Sequence, residues 1–315
     1  MPRPFIAPFA IRPHRNLHRR IASIQCRMRT GRAHLGSARG RVDNGPQFVG
    51  ACGPVAVDAV SGRRCREERI AMKMEEVAAA HMRRLGENVY PGRGIVLGLT
   101  PDERHLVQVY WIMGRSPASR NRVLLREGES VKSESLNAAL VPNPALVIYY
   151  AVRRVGNCHV VSNGDQTETI VDALERGQRF EDALRTREFE PDVPHYTPRI
   201  SGLIDAADPR SGYRLAILKS LGHNPAHCMR HFYTYERAYP GLGHCITTYA
   251  GDGHPLPSFE GEPWPVQTFD APEETAERYW RLLHADRRVG LMVKFIDVRT
   301  GGSSIHIVNR QEAGA

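Results

Sequence analysis

The chain has 315 residues, 41% of them hydrophobic and 24% charged, with a formal net charge of +9. That apolar content supports a real core in one large or two smaller domains, and no apolar run approaches the ~18 residues of a membrane-spanning helix. The six cysteines (Cys26, Cys52, Cys65, Cys158, Cys228, Cys245) form no CxxC pair, which argues against a disulfide scaffold and for a reduced, cytoplasmic protein.

The charge is not evenly spread. Residues 1–71 hold 14 arginines, no lysine and 4 acids, giving +10; the other 244 residues hold 29 bases and 30 acids, giving −1. The first segment is rich in Arg, Pro and Gly without sustained periodicity, a disorder-type composition. It reads as a basic extension, a targeting segment without a visible cleavage site, or sequence upstream of the true start, since Met72 and Met74 stand just before the first patterned stretch. The basic charge therefore belongs to the extension, and no nucleic-acid binding is expected of the core, residues 72–315.

Residues 74–85 predict an amphipathic helix. Residues 95–99 and 106–113 predict a hairpin turned at Thr100-Pro-Asp-Glu-Arg104. A loop carrying Arg115, Ser116, Arg120, Asn121 and Arg122 follows; guanidinium forks suit phosphate, and a solvated surface loop is the bland alternative. Strand character resumes at 123–125. Residues 145–152 predict a buried strand with Tyr149 and Tyr150, then a turn at Gly156-Asn157 and a strand at 158–161. Ser162-Asn163-Gly164-Asp165-Gln166-Thr167 opens onto a helix expected at 167–176, with Gly177 as its cap. Strand, polar turn and helix start is an arrangement that presents backbone N–H groups to an anion, and a plain Asn-Gly turn or helix cap explains the same residues.

A second short helix is expected at 180–184, and a Pro-punctuated loop brings His195, Tyr196 and Arg199 together. Residues 200–204 and 213–219 predict another hairpin. His223, His227, Cys228, His231, His244 and Cys245 form the one metal-like cluster, but Pro225 interrupts the His223/His227 helical spacing and no second tight pair completes a tetrahedral set, so no metal is expected. Strands at 232–235 and 245–249, a Gly/Pro loop at 251–265, a capped helix starting at Asp270-Ala-Pro-Glu273 and running to about Arg287, and a hairpin at 291–296 and 304–308 complete the core. Nine or ten strands joined as hairpins, with few helices, predict an α+β fold of two packed, largely antiparallel sheets with helices outside. There is no GxGxxG or Walker loop.

Several motifs in order carry a resemblance: Tyr90-Pro-Gly-Arg93, Arg115-Ser116 with Asn121-Arg122, Arg154-Val-Gly156, Val160-Val-Ser-Asn163-Gly164, Thr167-Glu-Thr-Ile170 and Thr197-Pro-Arg199-Ile200. Over about residues 88–310 the chain resembles the archaeal-type IMP cyclohydrolases. The resemblance implies a four-layer αββα sandwich like that of the N-terminal-nucleophile hydrolases, without their mechanism. It implies closure of 5-formamido-imidazole-4-carboxamide ribotide to IMP in purine biosynthesis, with no metal or organic cofactor and with a purine nucleotide bearing a 5′-phosphate as partner. Arg93, Arg115, Ser116, Arg120, Asn121, Arg122, Asn163, Gly164 and Thr167 are then the substrate-binding candidates. Tyr149 or Tyr150, Arg199 and His195 are candidate donors, and Asp165 or Glu168 a proton acceptor. The sequence departs from the pattern where Tyr149-Tyr150-Ala151 stands in place of Tyr-Asn-Cys, and in enlarged loops near Arg115 and Gly251. A same-fold hydrolase of another amide or nucleotide, and a nucleotide-binding protein without turnover, are the rival readings. Homo-oligomer formation is left open.

Overall fold

The computed structural model describes residues 59–311 other than Pro142; most of the extension expected over residues 1–71 lies outside them. Helix α1, Ala59–Glu87, contains the predicted helix and begins well upstream of it. The chain then forms β1 (Gly94–Leu99), β2 (His105–Met113), the short α2 (Pro117–Arg120), β3 (Arg122–Glu127), β4 (Ser130–Ser135), β5 (Tyr149–Val155), β6 (Cys158–Ser162), α3 (Gln166–Glu175), α4 (Phe180–Arg185), β7 (Arg199–Asp205), β8 (Tyr213–Leu221), β9 (Asn224–Tyr235), β10 (Leu242–Thr247), β11 (Trp264–Gln267), α5 (Pro272–Leu282), β12 (Arg288–Asp297) and β13 (Ser303–Asn309).

These strands make two sheets, ordered β11-β10-β1-β2-β12-β13 and β3-β4-β5-β6-β7-β8-β9. The ladders within both are antiparallel. The period-two alternation of side chains assigns each strand residue to a layer. Along β2, Leu106, Tyr110 and Ile112 join the core between the sheets, while Val107, Val109, Trp111 and Met113 join the core under α1 and α5. On the second sheet Val161, Ile200 and Leu215 face inward, and Val160, Leu203 and Ala216 pack against α3 and α4. Both faces are thus covered at the centre of each sheet, which is why β1 and β2 read as continuous apolar runs, while β3 and β9 stay open on the second sheet's outer face. The result is the four-layer αββα sandwich.

Several local expectations needed correction. The focal strand begins at Tyr149 rather than residue 145, because Pro144 starts a single 3-10 turn that ends at Leu146. Strand β4 is Ser-Val-Lys-Ser-Glu-Ser, with one apolar residue, so its period-two pattern is invisible in composition; pairing to β3 and β5 holds it in place. Helix α5 starts from Ala271 without a side-chain cap, since the Asp270 carboxylate instead accepts from the Asp102 backbone N–H at 3.0 Å, and the helix stops at Leu282 rather than near Arg287. Gly177 does end α3: at φ +70° its N–H donates to Leu174 O, and Gln178 N–H to Ala173 O. The sheets are tied at one edge by Asn309, whose Oδ1 accepts from Leu124 N–H at 3.0 Å and whose Nδ2 donates to Leu124 O at 3.1 Å.

Candidate active site

Antiparallel pairing brings the starts of β1, β3, β5, β7 and β12 to the same end of the sandwich as the ends of β2, β6 and β10. Most of the residues singled out in the sequence lie at this end. Arg93, just before β1, is buried between the sheets. Its Nη2 lies 3.4 Å from both carboxylate oxygens of buried Glu190, which enters on the loop after α4. Burial pushes the Glu190 carboxyl above the usual carboxylate range; Asp192 adds to this, and Arg93, Arg199 and Arg122 oppose it. Beside the pair, the hydroxyls of Tyr110 (β2) and Tyr149 (β5) are 2.8 Å apart, a hydrogen bond linking the two sheets. Burial, with Tyr149 adding to it, raises the Tyr110 phenol well above its ordinary value.

The Ser162–Thr167 turn is stitched together internally. Asn163 Nδ2 donates to Pro198 O, its Oδ1 accepts from Ile200 N–H and Gln166 Nε2, and the Thr167 hydroxyl donates to Gly164 O. What the turn holds in place is Arg199. Its Nη1 donates to Gln166 Oε1 at 2.7 Å and lies 2.6 Å from Asp165 Oδ1. Arg187 takes the other Asp165 oxygen. Burial favours the neutral Asp165 acid, but these two guanidiniums outweigh it and hold the carboxyl below its ordinary value. Gly164 is required by close approach: a Cβ there would lie 2.6 Å from Arg199 Nη1 and 2.7 Å from Gln166 Oε1.

The Arg115–Arg122 loop does not converge on one point. Arg115 Nη1 donates to Asp252 Oδ1 and to Gly253 O, both at 2.8 Å, and Arg287 Nη1 donates to Asp252 Oδ2 at 2.7 Å, both guanidiniums lying over the Tyr90 ring. Ser116 is committed to a capping box with Ser119, and Asn121 bonds Ser135 and Asn137. Arg122 points inward from β3. Its Nε and Nη1 are buried and bond no protein group among the described residues, and the same holds for Arg93 Nε. His195 sits at the rim, Nδ1 accepting from Leu256 N–H at 3.1 Å, ring edge to face with His254; burial, helped by Arg115, lowers its pKa. Tyr249, stacked on Tyr90, shares a 2.6 Å hydrogen bond with the Thr197 hydroxyl, which is held in turn by Asp192.

Tyr150 is half-buried and donates to Glu127, and Glu168 pairs with Arg153, so neither joins this cluster. Sequence reasoning passed over Glu190, Tyr110, Gln166 and Tyr249. Glu190 had a faint signal as one of the alternating acids Glu188, Glu190 and Asp192 ahead of the Pro-rich loop; Tyr110 had none, sitting in an apolar run. Among the described residues no group of three or more His, Cys, Asp or Glu side chains is placed to hold a metal ion, and His227, Cys228 and His231 lie along β9 rather than on a helix. No described helix is long and apolar enough to cross a membrane.

Comparison with known proteins follows the same outline. The chain is 34% identical over 120 residues to the IMP cyclohydrolase of Methanopyrus kandleri, covering 37% of this chain and 59% of that protein. It is 32% identical over 130 residues to the IMP cyclohydrolase of Methanococcus maripaludis, covering 40% and 63%. The matched segments thus span about 60% of these relatives' length. The family model for IMP cyclohydrolase-like proteins matches residues 90–302, which include every element of the cluster, and the chain belongs to that family.

Proposed function

We propose that this protein is an IMP cyclohydrolase, closing 5-formamido-imidazole-4-carboxamide ribotide to IMP with loss of water. The observation that carries the reading is the buried Arg93–Glu190 pair beside the Tyr110–Tyr149 hydroxyls, with unengaged donors on Arg93 and Arg122. Ring closure joins the carboxamide nitrogen to the formyl carbon, and negative charge develops on the formyl oxygen. The Arg93 guanidinium and the Tyr149 hydroxyl are donors in a water-poor site, where such stabilisation is strongest. A carboxamide N–H proton must leave as the bond forms. Glu190 suits that task, since a carboxyl raised by burial lies nearer neutral pH, where a general base works best. Glu190 passes that proton to the formyl oxygen, which becomes a hydroxyl. Glu190 then takes the formamido N–H proton and delivers it to that hydroxyl, which departs as water as the C=N bond forms. Holding the two reacting groups in contact supplies much of the rate. Arg199, fixed by Asp165 and Gln166, walls the site on the α3 side, and His195 faces it from the rim.

The test is turnover of the formamido ribotide by wild type beside Tyr149→Phe and Tyr110→Phe. Tyr149→Phe should lower kcat by about a hundred-fold, the scale of losing one oxyanion donor. Equal turnover by wild type and Tyr149→Phe would remove Tyr149 from the chemistry. A folded wild type that binds IMP but forms none from the ribotide would favour a binding protein.

A further inference from the structure

Arg122 faces two environments. Toward the interior it lies within electrostatic reach of Tyr90, Tyr110 and Glu190. On its other side opens a cleft of about 600 Å³ near the meeting of edge strands β3 and β13, where Arg120, Arg122 and Arg310 stand over an apolar surface of Val123, Leu136 and Val289. A cleft of this volume is in the range that takes a nucleotide-sized ligand.

Three arginines line it, and no acidic side chain does so among the described residues. Their donors are largely unspent. Arg122 flanks the cleft, its Nε and Nη1 buried on the interior side and bonded to no protein group among the described residues. Arg120 and Arg310 each give one Nη1 to the same carbonyl, Asp286 O, at 3.4 and 3.0 Å; that shared anchor sets the two forks side by side with their remaining donors unengaged by described residues. The contrast with the other arginines of the region decides the matter. Arg115 and Arg287 are paired with Asp252, Arg199 and Arg187 with Asp165, and Arg93, through Nη2, with Glu190. Concentrated positive charge with free planar forks is the chemistry that takes a phosphate dianion, because each guanidinium offers paired N–H groups matching its oxygens.

We propose that the Arg120–Arg122–Arg310 cleft is a phosphomonoester-binding site. Arg310 stands beyond residues 90–302 and outside the loop motifs that suggested a phosphate cradle in the sequence. The phosphate is either the substrate's own, reached through Arg122 from the interior, or that of a separate nucleotide or free phosphate. The first case rests on the cyclohydrolase reading and the second does not.

The test uses the full-length chain, wild type against Arg310→Ala and Arg310→Lys, titrated calorimetrically with inorganic phosphate and with IMP. Arg310 is exposed, so Arg310→Ala should fold like wild type, with Arg310→Lys retaining the charge but not the fork. Arg310→Ala should weaken phosphate binding about ten- to hundred-fold, the scale of one charge-assisted contact, and Arg310→Lys less. If KM for the ribotide rises by the same factor with kcat unchanged, the phosphate bound is the substrate's own. If phosphate binding falls and KM does not move, the cleft serves a separate ligand. Wild type that binds phosphate and turns over no ribotide, with binding lost in Arg310→Ala, would sink the cyclohydrolase reading and leave the cleft standing. Equal phosphate affinity in wild type and Arg310→Ala, or none in wild type, overturns the proposal.

Discussion

Gly164→Ala isolates the claim that the Asn163-Gly164 turn matters because it holds Arg199. A methyl group at Gly164 would meet Arg199 Nη1 at 2.6 Å and Gln166 Oε1 at 2.7 Å, where ordinary contact begins at 3.4 Å, so the two tips must retreat by about 0.7–0.8 Å. Both are side-chain ends, but neither is free to swing. Arg199 is buried and held by Gln166 at 2.7 Å and Asp165 at 2.6 Å, and Gln166 is held by Asn163 and the Ile200 carbonyl. At least one of the Arg199 contacts must be lost, and a charge-assisted hydrogen bond contributes about 1.5–3 kcal/mol. Gly164 is not among the glycines at positive φ, so the cost comes from crowding rather than backbone strain. Urea denaturation should show a loss of about 2 kcal/mol with an unchanged m-value, and turnover of the ribotide should fall about ten- to hundred-fold. Wild-type stability and turnover in Gly164→Ala would refute the reasoning, since the arginine would then have room to move without consequence.

In Tyr149→Phe the Tyr110 hydroxyl loses its 2.8 Å partner inside the core, and denaturation should show a loss of about 1–3 kcal/mol in addition to the kinetic defect. Asn309→Ala removes both bonds to buried Leu124 and leaves its N–H and C=O unpaired at the seam between the sheets, which should cost about 2–4 kcal/mol by chemical denaturation. His159 lies between the sheets, where burial, with Lys294 and Arg154 adding to it, holds its pKa down to about 3 against an ordinary 6.5. A base depressed on folding contributes stability that is complete above 6.5 and is lost as pH falls through the window from 6.5 to about 3. His244, His195 and His231 are also held below their ordinary value, so denaturation of wild type at pH 7.5 and pH 5 should show a drop that is smaller in His159→Gln, and an equal drop in both would contradict the assignment.

Element identity was legible wherever local pattern and tertiary packing agree. The hairpins of β1 with β2, β7 with β8 and β12 with β13 announced themselves through β-branched and aromatic runs bounded by Gly, Pro and Asp turns. Strand β4 did not, because Ser, Lys and Glu have no period of their own and the strand exists through its two neighbours. The helix cap expected at Asp270 failed because that carboxylate found a tertiary partner at Asp102. The candidate site divides the same way. Arg93, Tyr149, Asp165 and Arg199 were visible because turns and strand ends carry them. Glu190 was not, because what marks it is a buried contact with a residue 97 positions earlier. Loop spacing grouped Arg115 with Arg122, but α2 lies between them, and the two guanidiniums face different surroundings.

The most direct test is the ultraviolet absorbance record of IMP formation by the full-length chain from the formamido ribotide, with Glu190→Gln alongside. Gln keeps the shape of Glu190 and removes its proton chemistry. Steady IMP formation by wild type, lowered a hundred-fold or more in a Glu190→Gln protein that still binds IMP, is the predicted result. Equal rates in the two proteins, or none in a folded wild type, would contradict the account.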